Sequence, residues 1–106
     1  MDIQIKRGLL EVCVLAAVSR KDSYGYRIIK DIEPYISISE STLYPILRRL
    51  EESRQLSVYS VEHNGRLRKY YAITDDGRSR LLAFADEWKE IMNIYEFITG
   101  EVTGDE

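Results

Sequence analysis

The sequence predicts a mainly α-helical chain with one small β-hairpin and a long last helix. Three observations predict it. Apolar residues recur at three- and four-residue steps in the early segments. Asn64-Gly65 sits between two runs rich in Val, Tyr and Ile, the strongest short hairpin signal. After Thr74 the large apolar residues keep a seven-residue repeat. The 106 residues, 44% hydrophobic and 31% charged, fit one globular domain. A chain this short buries about two-thirds of its unfolded surface, so a second copy would relieve a limited core.

A first helix is expected over about residues 5–19. Leu9, Leu10 and the run Val12 to Val18 leave almost no polar face in its second half, so it should be buried on more than one side, the second against another subunit. A second helix follows from about Tyr24 to Ile32, with Asp22 or Ser23 as N-cap and Ile28, Ile29 and Ile32 facing inward. Pro34 disfavours a helical conformation at Glu33 and should end it. The third helix spans Ser39 or Glu40 to Ser53, with a buried stripe of Leu43, Ile46, Leu47 and Leu50. Ser39 suits the N-cap, and Ser37 with Glu40 offers a rival capping box. Pro45 removes one amide donor, so the first turn is expected to kink or the regular helix to begin later.

Leu56–Glu62 and Leu67–Ile73 read as strands joined by His63-Asn64-Gly65-Arg66. The last helix starts at Thr74, with Asp75 and Asp76 suiting the positive end of its dipole, and runs to about Thr99 before Gly100. Leu81, Trp88 and Tyr95 are seven apart, and Phe84, Ile91 and Ile98 repeat the spacing offset by three. That is an a/d seam, expected to pack on a partner helix as a dimer interface. The expected organisation is a winged helix-turn-helix unit at 1–73, a dimerisation helix at 74–100 in the same compact body, and a frayed tail at 101–106.

The net charge of −3 is unevenly spread. Residues 1–80 carry 14 basic and 11 acidic side chains, whereas residues 81–106 carry one lysine against seven acids. A mildly basic body with an acidic far end suits a protein whose body meets phosphates; a solvated acidic helix on an ordinary domain fits the charge equally well. Cys13 is a single cysteine and cannot form an intrachain disulfide. No apolar run is long enough to span a membrane. Lys6-Arg7 before an apolar stretch mimics a secretory leader, but Glu11 interrupts that stretch and no cleavage signal follows. A cytoplasmic location is expected.

Recognition of duplex DNA needs an exposed polar helix face with cations beside it. The third helix offers Ser41, Thr42, Tyr44, Arg48 and Arg49 away from its leucine stripe. The hairpin places Arg66, Arg68 and Lys69 within four residues of one another beside a tight turn. Such a tip repels itself unless an anion is near, which favours phosphate or minor-groove contact over protective edge charge. Tyr71 and Ile73 share a strand face and are expected to pack on the core. Enzyme readings find little support: His63 and Cys13 are far apart, and no nucleophile set, phosphate loop or metal cluster is recognisable. No metal and no cofactor is expected.

The segments Ser23-Tyr24-Gly25-Tyr26-Arg27-Ile28-Ile29-Lys30, Ser41-Thr42-Leu43-Tyr44-Pro45-Ile46-Leu47-Arg48-Arg49-Leu50-Glu51 and Gly65-Arg66-Leu67-Arg68-Lys69-Tyr70-Tyr71, with Thr74 and Gly77 beyond, resemble the PadR family of bacterial transcriptional regulators. The likeness extends over about residues 6–99 and is closest to the short subfamily with a single C-terminal helix. The resemblance implies a homodimer built by the first and last helices and repression by binding an operator in double-stranded DNA, often relieved by a small molecule; two recognition helices in successive major grooves make that operator an expected inverted repeat. It places Ser41, Thr42, Tyr44 and Arg48 in the recognition helix and Arg66, Arg68 and Lys69 in the wing. Trp88 is similar to a tryptophan that lines a drug-binding cavity at the dimer interface of multidrug-binding members. Ala85 and Met92, one turn either side, suit a planar apolar effector, and Glu11 on the facing helix could select a cationic one. A packed interface tryptophan is an equal alternative. Two rival functions are a small-molecule sensor or sequestering protein with secondary DNA binding, and a winged-helix protein-interaction module.

Overall fold

The computed structural model describes residues 1–100; the expected frayed tail at 101–106 lies outside the described residues. In chain order the elements are α1 (Ile3–Arg20), α2 (Gly25–Ile32), α3 (Glu40–Glu52), β1 (Leu56–His63), β2 (Arg66–Ile73) and α4 (Asp75–Thr99).

α1 starts two residues earlier than its apolar pattern suggests, because the Asp2 carboxylate caps it. That carboxylate accepts hydrogen bonds from the amides of Gln4 at 2.8 Å and Ile5 at 3.1 Å. α1 is the centre of the body and touches α2, α3, α4 and β2. Its own chain therefore covers Leu10, Val12, Val14, Leu15, Ala17 and Val18, and no second subunit is needed to account for that burial. Ile28 and Ile32 from α2, the leucine stripe of α3, Leu56 and Tyr71 complete the core.

The start of α2 departs from expectation. Its N-cap is Tyr24, with no side-chain cap bond. Asp22 accepts instead from the Tyr59 hydroxyl at 2.7 Å, and Ser23 pairs with Tyr71 as an isolated β-bridge. Glu33 keeps right-handed helical angles despite Pro34, and the chain leaves α2 through a tight turn in which the amides of Tyr35 and Ile36 both donate to the Ile32 carbonyl.

α3 is capped by Ser39, whose hydroxyl accepts from the Thr42 amide at 3.3 Å; the Ser37–Glu40 box is not used. Pro45 lies inside the helix, which begins at Glu40 and runs through it unbroken. The hairpin is tighter than read from sequence. Each strand gains a residue, His63 pairs with Arg66, and the loop is Asn64-Gly65 alone. Both loop residues have positive φ, 52° and 80°, which defines a two-residue turn of the primed kind.

Thr74 caps α4, accepting from the Gly77 amide at 3.1 Å while its hydroxyl donates to the Arg54 carbonyl at 2.6 Å. Gly77 is buried where the first turn of α4 packs on the turn between α3 and β1; a β-carbon there would collide with the Gln55 carbonyl and approach Ile73 Cγ1 to 2.7 Å. Beyond Phe84 every described residue of the helix is exposed as it leaves the body. Among its apolar residues Trp88 is 38% exposed and Phe97 82%, and the described residues extend over 65 × 26 × 21 Å. Among the described residues, no helix is long and apolar enough to cross a membrane.

Candidate nucleic-acid interface

α3 buries its leucines and so turns Ser41, Thr42, Tyr44 and Arg48 outward, all exposed. The Ser39 hydroxyl donates to Thr42 Oγ1 at 3.2 Å and shares a hydrogen bond with Ser41 Oγ at 3.0 Å, so three small hydroxyls ring the helix start. Tyr44 leans across the start of α2, where Gly25 leaves room for its ring. Arg49 does not join this surface. Its guanidinium turns to Glu11 of α1, with Nη2 donating to Oε2 at 3.0 Å.

The strand pleat separates the three wing cations. Arg66 and Arg68 share one face of β2 and Lys69 takes the other. Arg66 stands exposed at the tip beside Asn64 and Gly65. Arg68 is half-buried, its guanidinium 4.1 Å from the centroid of Tyr24. Lys69 lies 3.7 Å from the Glu51 carboxylate, a pair open to water and worth little. A cleft of about 420 Å³ brings the elements together, lined by Tyr24, Gly25, Tyr44, Arg68, Lys69 and Tyr71. α3, the hairpin and the start of α2 thus meet on one surface. Tyr71, 4% exposed, ties the wing to the core as expected, with Ile73 packed against it.

Several cations escaped the sequence reading. Arg27 lies 5.0 Å from the same Tyr24 ring, a three-residue step along the chain that the pattern could have revealed. Lys6 and Arg7 line a second cleft, about 620 Å³, with Ser37, Ser39 and Thr42 at the start of α3. Nothing local links residues thirty positions apart, and the two cations resembled a leader sequence instead.

Glu11 does not line the groove beside Trp88. Its carboxylate is clamped by Arg49 and by Arg80, whose Nη2 donates to Oε1 at 2.8 Å. Burial pushes this carboxyl up, but the hydrogen bonds and charges of Arg80 and Arg49 outweigh burial and hold it below the ordinary range. The Trp88 groove, about 740 Å³, is formed by Val12 of α1 with Leu81, Phe84, Ala85, Trp88, Met92 and their α4 neighbours. Phe84 stacks on Trp88 at 5.6 Å, and the remaining seam residues Ile91, Tyr95 and Ile98 are exposed along the same helix. His63 stands at the wing tip. Cys13 lies in mid α1, its thiol pushed up by burial, the opposite of an activated nucleophile.

A compact trihelical body, a polar recognition helix and a basic hairpin beside it define a winged helix-turn-helix DNA-binding protein. The model of the PadR-like transcriptional regulator family matches residues 14–83, and the chain belongs to that family. It is 47% identical to smu.1704 from Streptococcus mutans UA159, whose crystal structure superposes with a TM-score of 0.78 over 92% of each chain. A PadR-like transcription factor from Bacteroides fragilis is 35% identical, with a TM-score of 0.80 over 90% of this chain and 94% of that one. A protein of Lysinibacillus sphaericus is 35% identical over 97 residues, 87% of this chain and 89% of the relative. The chain is thus a DNA-binding transcriptional regulator.

Proposed function

We propose that the protein acts as a homodimeric repressor on an inverted-repeat operator. Ser41, Thr42, Tyr44 and Arg48 enter the major groove, and the wing that carries Arg66, Arg68 and Lys69 lies along the flanking backbone. The observation that carries this reading is the pairing of two uncovered surfaces on one chain. One is the hydroxyl-and-cation face of α3 and the wing. The other is the apolar seam of α4, where Ile91, Tyr95 and Ile98 are 44%, 47% and 72% exposed. A stable soluble protein covers such a seam, and a partner α4 with its α1 supplies the cover. Two recognition helices in successive major grooves sit about 34 Å apart. Gel shifts with the DNA upstream of its own gene, run beside sedimentation of the protein, test the reading. A dimer that shifts an inverted repeat is expected; a monomer, or a protein indifferent to every duplex at low salt, refutes it.

A second reading rests on the Trp88 groove. An indole beside Ala85 and Met92 in an apolar furrow suits a planar apolar effector that relieves repression by preferring one dimer geometry. Quenching of Trp88 fluorescence by a planar aromatic compound, together with weaker operator binding in its presence, is the expected result.

A further inference from the structure

The distal half of the wing has little core beneath it. Past Val58 every residue of β1 is exposed, and an isolated two-stranded hairpin is marginal in water. Something other than the core must therefore fix its angle to the body. The outward face of the hairpin carries an aromatic stack. Tyr59 and Tyr70, opposite one another across the strands, lie face to face at 5.7 Å with 15° between planes. Tyr70 meets Tyr24 edge-on at 5.4 Å, just before α2. Arg68 closes the stack over Tyr24, and the Tyr59 hydroxyl donates to Asp22 on the body side. Among the described residues Arg68 is paired with no carboxylate.

Resting on the DNA-binding reading above, we propose that Arg68 is a positioning residue. Its guanidinium, laid on Tyr24, braces the wing against the body, while Arg66 at the tip meets the backbone. A planar cation on an aromatic face is held by the ring, and a lysine, compact and strongly hydrated, does not replace it. A phosphate contact behaves oppositely: Lys serves nearly as well as Arg, and the loss shows in the salt slope.

The test measures binding of the intergenic duplex upstream of its own gene across several salt concentrations, with amide exchange of the free protein alongside. Arg68→Ala, Arg68→Lys and Tyr24→Leu should each weaken binding about three- to tenfold. All three should leave the salt slope unchanged and speed exchange at the Tyr70 and Arg68 amides, while Tyr24→Phe, which keeps the ring, restores wild-type behaviour. Combining Arg68→Ala with Tyr24→Leu should cost no more than either alone. If Arg68→Lys binds normally, Arg68→Ala lowers the slope by about one, or exchange in the wing is unmoved, the brace is overturned and Arg68 is a phosphate contact. A wild-type protein that ignores the duplex refutes the operator reading instead, and the exchange data still decide whether the brace exists.

Discussion

Position 77 has space for a hydrogen and nothing larger, because the backbone of α4 passes directly over the Gln55 carbonyl. Gly77→Ala should lower stability by about 1–3 kcal/mol, the usual cost of overpacking, read as a drop in the urea midpoint. At the tip, Arg66→Ala should reduce the salt slope of operator binding by about one with the fold intact; an unchanged slope removes Arg66 from the contacts. Individual side chains were the least legible part of the sequence. Arg66, Arg68 and Lys69 read as one cluster, yet the pleat separates them and tertiary neighbours assign each its own environment. Glu11 read as a polar mark on an apolar helix facing a pocket. Its actual partners lie 38 and 69 residues away in the chain, beyond the reach of any local pattern.

Elements were legible because periodicity and capping chemistry are local. The leucine stripe of α3, the Ser39 cap, the Asn64-Gly65 turn and the Thr74 and Gly100 ends of α4 all follow from neighbours within a few residues. Where the reading missed, a distant group had taken the local one: Tyr59 took the Asp22 carboxylate and Tyr71 drew Ser23 into a bridge, so neither capped α2. The Glu11 clamp joins three elements and makes stability depend on pH. Its carboxyl sits below the ordinary carboxylate value in the fold, so the stabilisation is full above the unfolded value near 4.5 and fades as pH falls through the lower folded value. Glu11→Gln should therefore cost about 1–2 kcal/mol near neutrality, by loss of charge-assisted hydrogen bonds. The gap to wild type should narrow in unfolding curves taken below pH 4.5; a constant gap would show that the clamp is not what titrates.

For the molecule as a whole, the apolar seam makes folding and pairing one equilibrium on the homodimer reading, so the melting temperature should rise with protein concentration. Ile91→Asp, which places a charge in mid-seam, should yield monomers or unfolded chains in sedimentation, and a native-mass dimer would assign the interface elsewhere. The seam was readable as a heptad, but the uncovered face of the single chain could be measured only in three dimensions. Gly77, Arg80 and Phe84 root α4 in the body, and the rest is an exposed arm. The 15 residues beyond Phe84 are about 22 Å long, so a swing of about 10° at that root carries the far end about 4 Å. On the homodimer reading, precision at the pivot, where one acid grips two arginines, governs how accurately a pair of such arms sets the distance between its two reading heads.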